Sequence, residues 1–172
     1  MAADAPHSEL RRALLNAMRQ EFGEDQRRIR HAERVLADAE AIMKEEGGDG
    51  AVIIAAAILH DIGIQEAERK HGSNSGTYQE LEGPPIARRI LNAATGLLPQ
   101  KIDHICAIVG SHHTPDGVDS LEWRILWDAD WLVNLSDERS TYRTDAFHRT
   151  CQTVFRTPSG HARGAKLCAE LA

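Results

Sequence analysis

Nine histidines stand in this chain of 172 residues, and two of them fall where an imidazole is chemically conspicuous. His60-Asp61 closes the most apolar stretch of the sequence, Ala51 to Leu59, where a carboxylate is expensive to bury without a partner. A metal ion is one such partner. His31 lies on the preceding helical segment, on one face with Val35, Ala39 and Ile42, so it looks inward. Asp130 stands in Trp127-Asp-Ala-Asp-Trp-Leu132, another segment too apolar to carry unpaired acids comfortably. Two imidazoles and two carboxylates from three segments suit a divalent ion such as Mn, Fe, Mg, Co, Ni or Zn. Each residue also has an ordinary reading taken singly. His31 fits a hydrogen-bonded helix residue, and His60-Asp61 a C-terminal cap that favours the helix dipole.

Other candidates are less constrained. Asp128 and Asp130 diverge by about 200° around a helix, so at most one faces a given point, while Asn134 shares the face of Asp130 one turn on. Asp128 then reads as a supporting residue or as the i+4 partner of Arg124. His112-His113 closes another helix before Thr114-Pro-Asp-Gly117, with a solvated turn as the plain alternative. His7, His71, His104, His148 and His161 have no such company and read as surface residues.

The elements that must position these groups follow from apolar spacing, which is helical nearly everywhere and nowhere alternating. The expectation is all-α: a helical bundle of about seven or eight helices in one domain over 1–172, with the site core at about 25–137 and a helical tail at 144–172. The expected helices run from Glu9 to Phe22 with Ser8 as cap, from Gln26 to Glu46 capped by Asp25, and from Gly50 to Ile62. Further helices are expected from Pro84 to Ala94, from Pro99 toward His112, from Ser120 to Asp137, near Asp145 to Phe155, and at the C-terminus. Between Gln65 and Gly83 the pattern dissolves into a polar, glycine- and serine-rich loop, expected to form the mouth of the pocket.

Composition narrows the functions. Hydrophobic residues at 42% and charged residues at 27% describe a chain that folds, and a formal net charge of -6 opposes nucleic acid and anionic membranes. The apolar run ending at Leu59 is about half of the roughly twenty residues a spanning helix needs, so no membrane span is expected. Met1-Ala-Ala-Asp-Ala-Pro6 lacks the basic start and apolar stretch of a secretory signal. Cys106, Cys151 and Cys168 are odd in number and form no C-x-x-C pair, which points to reduced thiols and a cytoplasmic protein.

The ordered set of His31, Ala55-Ala-Ala-Ile-Leu-His60-Asp61-Ile-Gly63 and Ala129-Asp130-Trp-Leu132 resembles the HD superfamily of metal-dependent phosphohydrolases, over roughly Asp25 to Leu135. The resemblance implies one divalent ion held by His31, His60, Asp61 and Asp130. It also implies hydrolysis of a phosphate ester, usually of a nucleotide, through a water whose pKa the ion lowers. Monoester and diester are not distinguished. Asp61, beside the ion, is a proton acceptor; Glu82, Lys70 and Glu66 are candidates for acid, base or phosphate contact. Asn134 looks like the residue that alarmone-hydrolysing relatives keep after the last aspartate.

The sequence also departs from branches of that family. Relatives that cleave cyclic dinucleotides follow their His-His with Gly-Tyr-Pro, not with Thr-Pro-Asp-Gly. Dinuclear relatives place a further histidine where this chain has Gln79, Glu80, Glu82 and Gly83, although Glu82 with His112 or His113 offers another second metal site. The alternative function is a metal-holding nucleotide sensor with little or no catalysis. The expected partner is a small phosphorylated substrate. Arg156, Arg163 and Lys166 around Thr157-Pro-Ser-Gly160 give the tail two readings, a lid over the pocket or a peripheral helix.

Overall fold

The structure, a computed structural model, describes residues 7–171; the reading of the first six residues as no secretory signal lies outside them. The helices are α1 (Ser8–Phe22), α2 (Gln26–Glu46), α3 (Gly50–Leu59), α4 (Ile64–His71), α5 (Gly76–Ala94), α6 (Pro99–Val109), α7 (Leu121–Asp137), α8 (Thr144–Thr153) and α9 (Pro158–Leu171). A short 3-10 turn, Arg139–Thr141, links α7 to α8, and no strand occurs among the described residues. The protein is therefore all-α, as its periodicity requires.

Helix α3 is the axis of the core. The Asp49 carboxylate accepts hydrogen bonds from Ala51 N and Val52 N and so starts it, a contribution of about 1 kcal/mol. Every residue from Ala51 to Leu59 is buried, enclosed by α1, α2, α6 and α7. Helix α2 lays Ile29, Ala32, Val35, Leu36, Ala39 and Ile42 on this core, starts where Asp25 accepts from Arg28 N, and stops at Gly47. Helix α7 begins where the Ser120 hydroxyl accepts from Trp123 N; its Trp123 and Trp127 rings stack, and Trp131 packs tilted against Trp127. By length and composition Gly50–His71 would suffice to cross a membrane, but 72% of its apolar window is buried within the protein and residues 60–63 interrupt the helix.

The segment expected as a loop from Gln65 to Gly83 is instead two helices. Helix α4 buries one residue, Ala67, and is supported at its surface by Glu66 pairing with Arg69 and Lys70. Helix α5 begins at Gly76 and runs on through Pro84 and Pro85, which are interior to the helix rather than at its start. What holds this region is a backbone crossing. A Cβ on Gly63 would lie 2.4 Å from Gly83 N and 2.7 Å from Gly83 Cα, so α5 seats directly on the turn that carries His60-Asp61. Polar composition hid both helices because tertiary contact, not an apolar stripe, fixes them.

The expectation of three reduced thiols is also corrected. Cys151 and Cys168 are joined in a disulfide, and Cys106 is free and buried. Helices α8 and α9 form a hairpin that brings together residues 17 apart in the chain, an approach that residue spacing alone does not reveal. Two smaller boundaries shift: His7, not Ser8, occupies the cap of α1, and α3 ends at Leu59.

Candidate metal centre

Four elements bring side chains to one point. His31 projects from the second turn of α2, His60 and Asp61 from the turn after α3, Asp130 from the middle of α7, and His112 from the turn after α6. His31 Nε2 lies 3.1 Å from Asp130 Oδ1 and 3.3 Å from His60 Nε2; His60 Nε2 lies 3.6 Å from Asp130 Oδ1. Asp61 Oδ2 is 3.6 Å from His31 Nε2 and 3.5 Å from His60 Nε2, and Asp61 Oδ1 is 3.3 Å from His112 Nε2. Candidate ligand atoms fall into two adjoining sets, His31 with His60 and Asp130, and Asp61 with His112 and His113.

The ring orientations are fixed from behind. His60 Nδ1 donates to Ala57 O at 2.9 Å and His112 Nδ1 to Val109 O at 2.7 Å, which leaves each Nε2 turned into the cluster. His112 Nε2 is buried without any aligned hydrogen-bond partner. Such a nitrogen, beside the Asp61 carboxylate, fits a cation held here.

The electrostatics agree. Burial alone lowers the pKa of His60, but the carboxylates of Asp61 and Asp130 outweigh it and push the ring up to about 9. Burial tends to raise both acids, yet His60 and His112 hold Asp61, and His31 and His60 hold Asp130, well below the usual carboxylate range.

Above the cluster opens a cavity of about 500 Å3. Its floor includes His31, Asp61 and Asp130, and its walls include Arg27, Arg28, Asn74, Gln79, His113 and Asn134. Gln79 Nε2 donates to Asn74 O, so Gln79 Oε1 faces His113 Nε2 at 3.2 Å. Asp137 and Glu138 complete the rim. Arg28 pairs with Asp25 and Glu68, whereas Arg27 makes no ion pair among the described residues. Arg27, Arg28, Asn74, Asp137 and Glu138 escaped the sequence reading because only the tertiary fold brings them to this rim.

The remaining candidates lie elsewhere. Glu82 spends its two carboxylate oxygens on Lys70 Nζ at 2.7 Å and His71 Nε2 at 2.9 Å, and neither Glu82 nor Lys70 lines the cavity. Glu66 is bound to Arg69 and Lys70, outside the cavity. These side chains brace α4 against α5, and a second metal site through Glu82 is not what the fold builds. Arg124 pairs with Asp119, not Asp128. Asp128 is buried and accepts from Arg156 N, Thr157 N and Thr157 Oγ1 at 2.7–2.8 Å, holding the start of α9. No described residue of the tail lines the cavity; Arg156 pairs with Asp116 and Arg163 with Glu45, so the peripheral reading of the tail fits and the lid does not.

A helical bundle whose turns and helix faces bring a buried histidine–aspartate cluster under an open polar cavity has the donor set of a candidate divalent-metal site. Residues 28–135 match the HD domain family, and the chain belongs to that family. The crystal structure of a predicted HD superfamily hydrolase from an uncultured Thermotogales bacterium superposes with a TM-score of 0.70 at 26% identity, covering 93% of this chain and 86% of that one. No curated protein matches the chain.

Proposed function

We propose that this protein hydrolyses a phosphate ester of a nucleotide or a related small phosphorylated metabolite. The observation that carries the reading is the coincidence of His31, Asp61 and Asp130 on the floor of a cavity of about 500 Å3, with His60 buried against them and Arg27 and Arg28 in the wall. That volume suits a mononucleotide-sized ligand, not a duplex. At a rim that also carries Asp137 and Glu138, Arg27, which makes no ion pair among the described residues, gives an anion a local reason to enter.

His31, His60, Asp61 and Asp130 would hold a divalent ion of the Mn, Fe, Mg, Co, Ni or Zn type. Bound there, it supplies Lewis-acid polarisation of the phosphoryl oxygens and lowers the pKa of the attacking water. The chain's own residues do the rest. Asp61, on the cavity floor beside the other ligands, is the residue placed to accept the proton that the nucleophile loses. Arg27 and Arg28 orient the phosphate, and the amides of Asn74, Gln79 and Asn134 offer donors and acceptors to the leaving group. One observation favours a second ion, the buried His112 Nε2 beside Asp61 and His113, and one opposes it, the absence of the histidine that dinuclear relatives keep where this chain has Gln79, Glu80, Glu82 and Gly83.

The test is a hydrolysis screen over nucleotides, sugar phosphates and diesters with each divalent metal and with chelator. Divalent-dependent turnover that Asp61→Asn abolishes is the expected result. Tight nucleotide binding without turnover would establish the sensor alternative instead.

A further inference from the structure

The cavity above the cluster is charged unevenly. Besides histidine, the only cationic side chains lining it among the described residues are Arg27 and Arg28, both on the first turn of α2. Arg28 is held by Asp25 at 2.9 Å and by Glu68 at 2.5 Å, so its charge is already balanced. Arg27 makes no ion pair among the described residues and brings the positive charge that nothing there offsets. At the end of α7 the sign is reversed. Asp137 pairs with Arg34, which lies outside the cavity, while the exposed Glu138 side chain has neither ion pair nor hydrogen bond among the described residues. The C-terminal pole of α7 falls at the same place, where Glu138 N donates to Asn134 O, and adds its partial negative charge. Between these poles the wall is neutral amide, from Asn74, Gln79 and Asn134.

Resting on the phosphohydrolase reading of this cavity, we propose that its substrate carries a single phosphoryl group on an organic part rich in hydroxyl or amino donors, and that Arg27 and Glu138 enforce that choice. A single phosphoryl group is met by the floor and by Arg27, whose guanidinium gives a charge-assisted contact. Each further phosphoryl group of a polyphosphate would bring negative charge to a wall with no spare cation, and would face Glu138 and the end of α7. Hydroxyl and amino groups fare the opposite way, because the carboxylates of Asp137 and Glu138 and the amide oxygens accept hydrogen bonds from them. Glu138 is exposed and acts through solvent over a Debye length of about 8 Å, so its effect is a several-fold bias and not an absolute block. A cavity made for a polyphosphate would have the reverse lining, with several lysines or arginines free of carboxylates.

The test compares the mono-, di- and triphosphates of adenosine and of thymidine as matched series, with free Mn2+ held constant. It reads kcat/KM and, independently of turnover, affinity by calorimetry. Within each series the monophosphate should exceed the triphosphate at least ~10-fold in both readouts. Glu138→Gln should narrow that ratio about 3-fold, through KM more than kcat, and higher ionic strength should narrow it in the wild-type protein. Arg27→Gln should weaken binding of the monophosphate at least ~10-fold with helical circular dichroism unchanged. A ratio near unity overturns the proposal, as does a ratio that neither Glu138→Gln nor salt moves, or binding of no member of either series. Binding in the expected order without turnover would overturn the phosphohydrolase reading and leave the charge selection standing. Preferred hydrolysis of the triphosphate would do the reverse.

Discussion

Two aspartates that differ by two positions have unrelated tasks. Asp130 touches His31 and lies against His60, whereas Asp128 receives three hydrogen bonds from the start of α9. Asp130→Asn should weaken Mn2+ binding at least ~10-fold, measured by calorimetry, with little loss of fold. Asp128→Ala should leave Mn2+ binding nearly intact and lower stability by about 2 kcal/mol in urea unfolding, because it strands three buried donors. The neighbours His112 and His113 differ in the same way. His112 is buried and aims Nε2 at Asp61, while His113 is exposed and faces Gln79. His112→Ala should therefore reduce hydrolysis more than His113→Ala; equal small losses in the two would return the pair to a plain turn. At this scale the convergence of His31, His60, Asp61 and Asp130 was legible, because apolar context makes each polar residue conspicuous. Arg27 and Asn74 were not, since polar residues in polar surroundings leave no such contrast.

Among the elements, those with an apolar stripe and a capping side chain were readable almost to the residue. Helix α2 is an example, with Asp25 before it and Gly47 after it. Helix α4 and the first half of α5 were not, since one packs only Ala67 and the other runs through two prolines that read as its start, whereas Pro84 to Ala94 was expected as a helix. Their positions depend on Gly63 meeting Gly83, a contact between residues twenty apart that no local periodicity encodes. Gly63→Ala should accordingly be among the most damaging single substitutions available, costing a few kcal/mol, on the order of ~3, because its Cβ would meet backbone and not a flexible side chain. Gly83→Ala meets the Val109 side chain at 2.8 Å and should be milder. Thermal unfolding of the two variants, with Mn2+ content measured alongside, checks the order.

For the molecule as a whole, the charge cluster makes stability depend on pH in opposite ways with and without metal. In the chelated protein His60 is raised from 6.5 to about 9 by its carboxylate neighbours, so its contribution is complete below about pH 6.5 and is lost as pH rises toward 9. At about 1.4 kcal/mol per pH unit that loss is about 3 kcal/mol. Asp61 and Asp130 are depressed, so their contribution holds above about pH 4 and disappears as pH falls below it. Metal-free protein should then be most stable between roughly pH 4 and 6.5. With Mn2+ in excess the trend above pH 6.5 should reverse, since protons compete with the ion for His60 Nε2. Urea midpoints at pH 6 and pH 9, with and without chelator, would show the crossing. A chelated protein as stable at pH 9 as at pH 6 would mean that His60 is not charged in this cluster.

The complete burial of α3 has a further consequence, for how the chain comes to be folded at all. Its enclosing partners are α1 and α2 on the N-terminal side, but also α6 and α7, which are made later. While the protein is being synthesised, nine consecutive apolar residues leave the ribosome well before Trp123 and Leu126 exist to cover them. A nascent chain halted before α7 should therefore be sticky, prone to self-association and a client for chaperones. The same segment becomes silent once α7 docks, which makes the arrival of that helix both the step that completes the cluster through Asp130 and the step that ends the exposure.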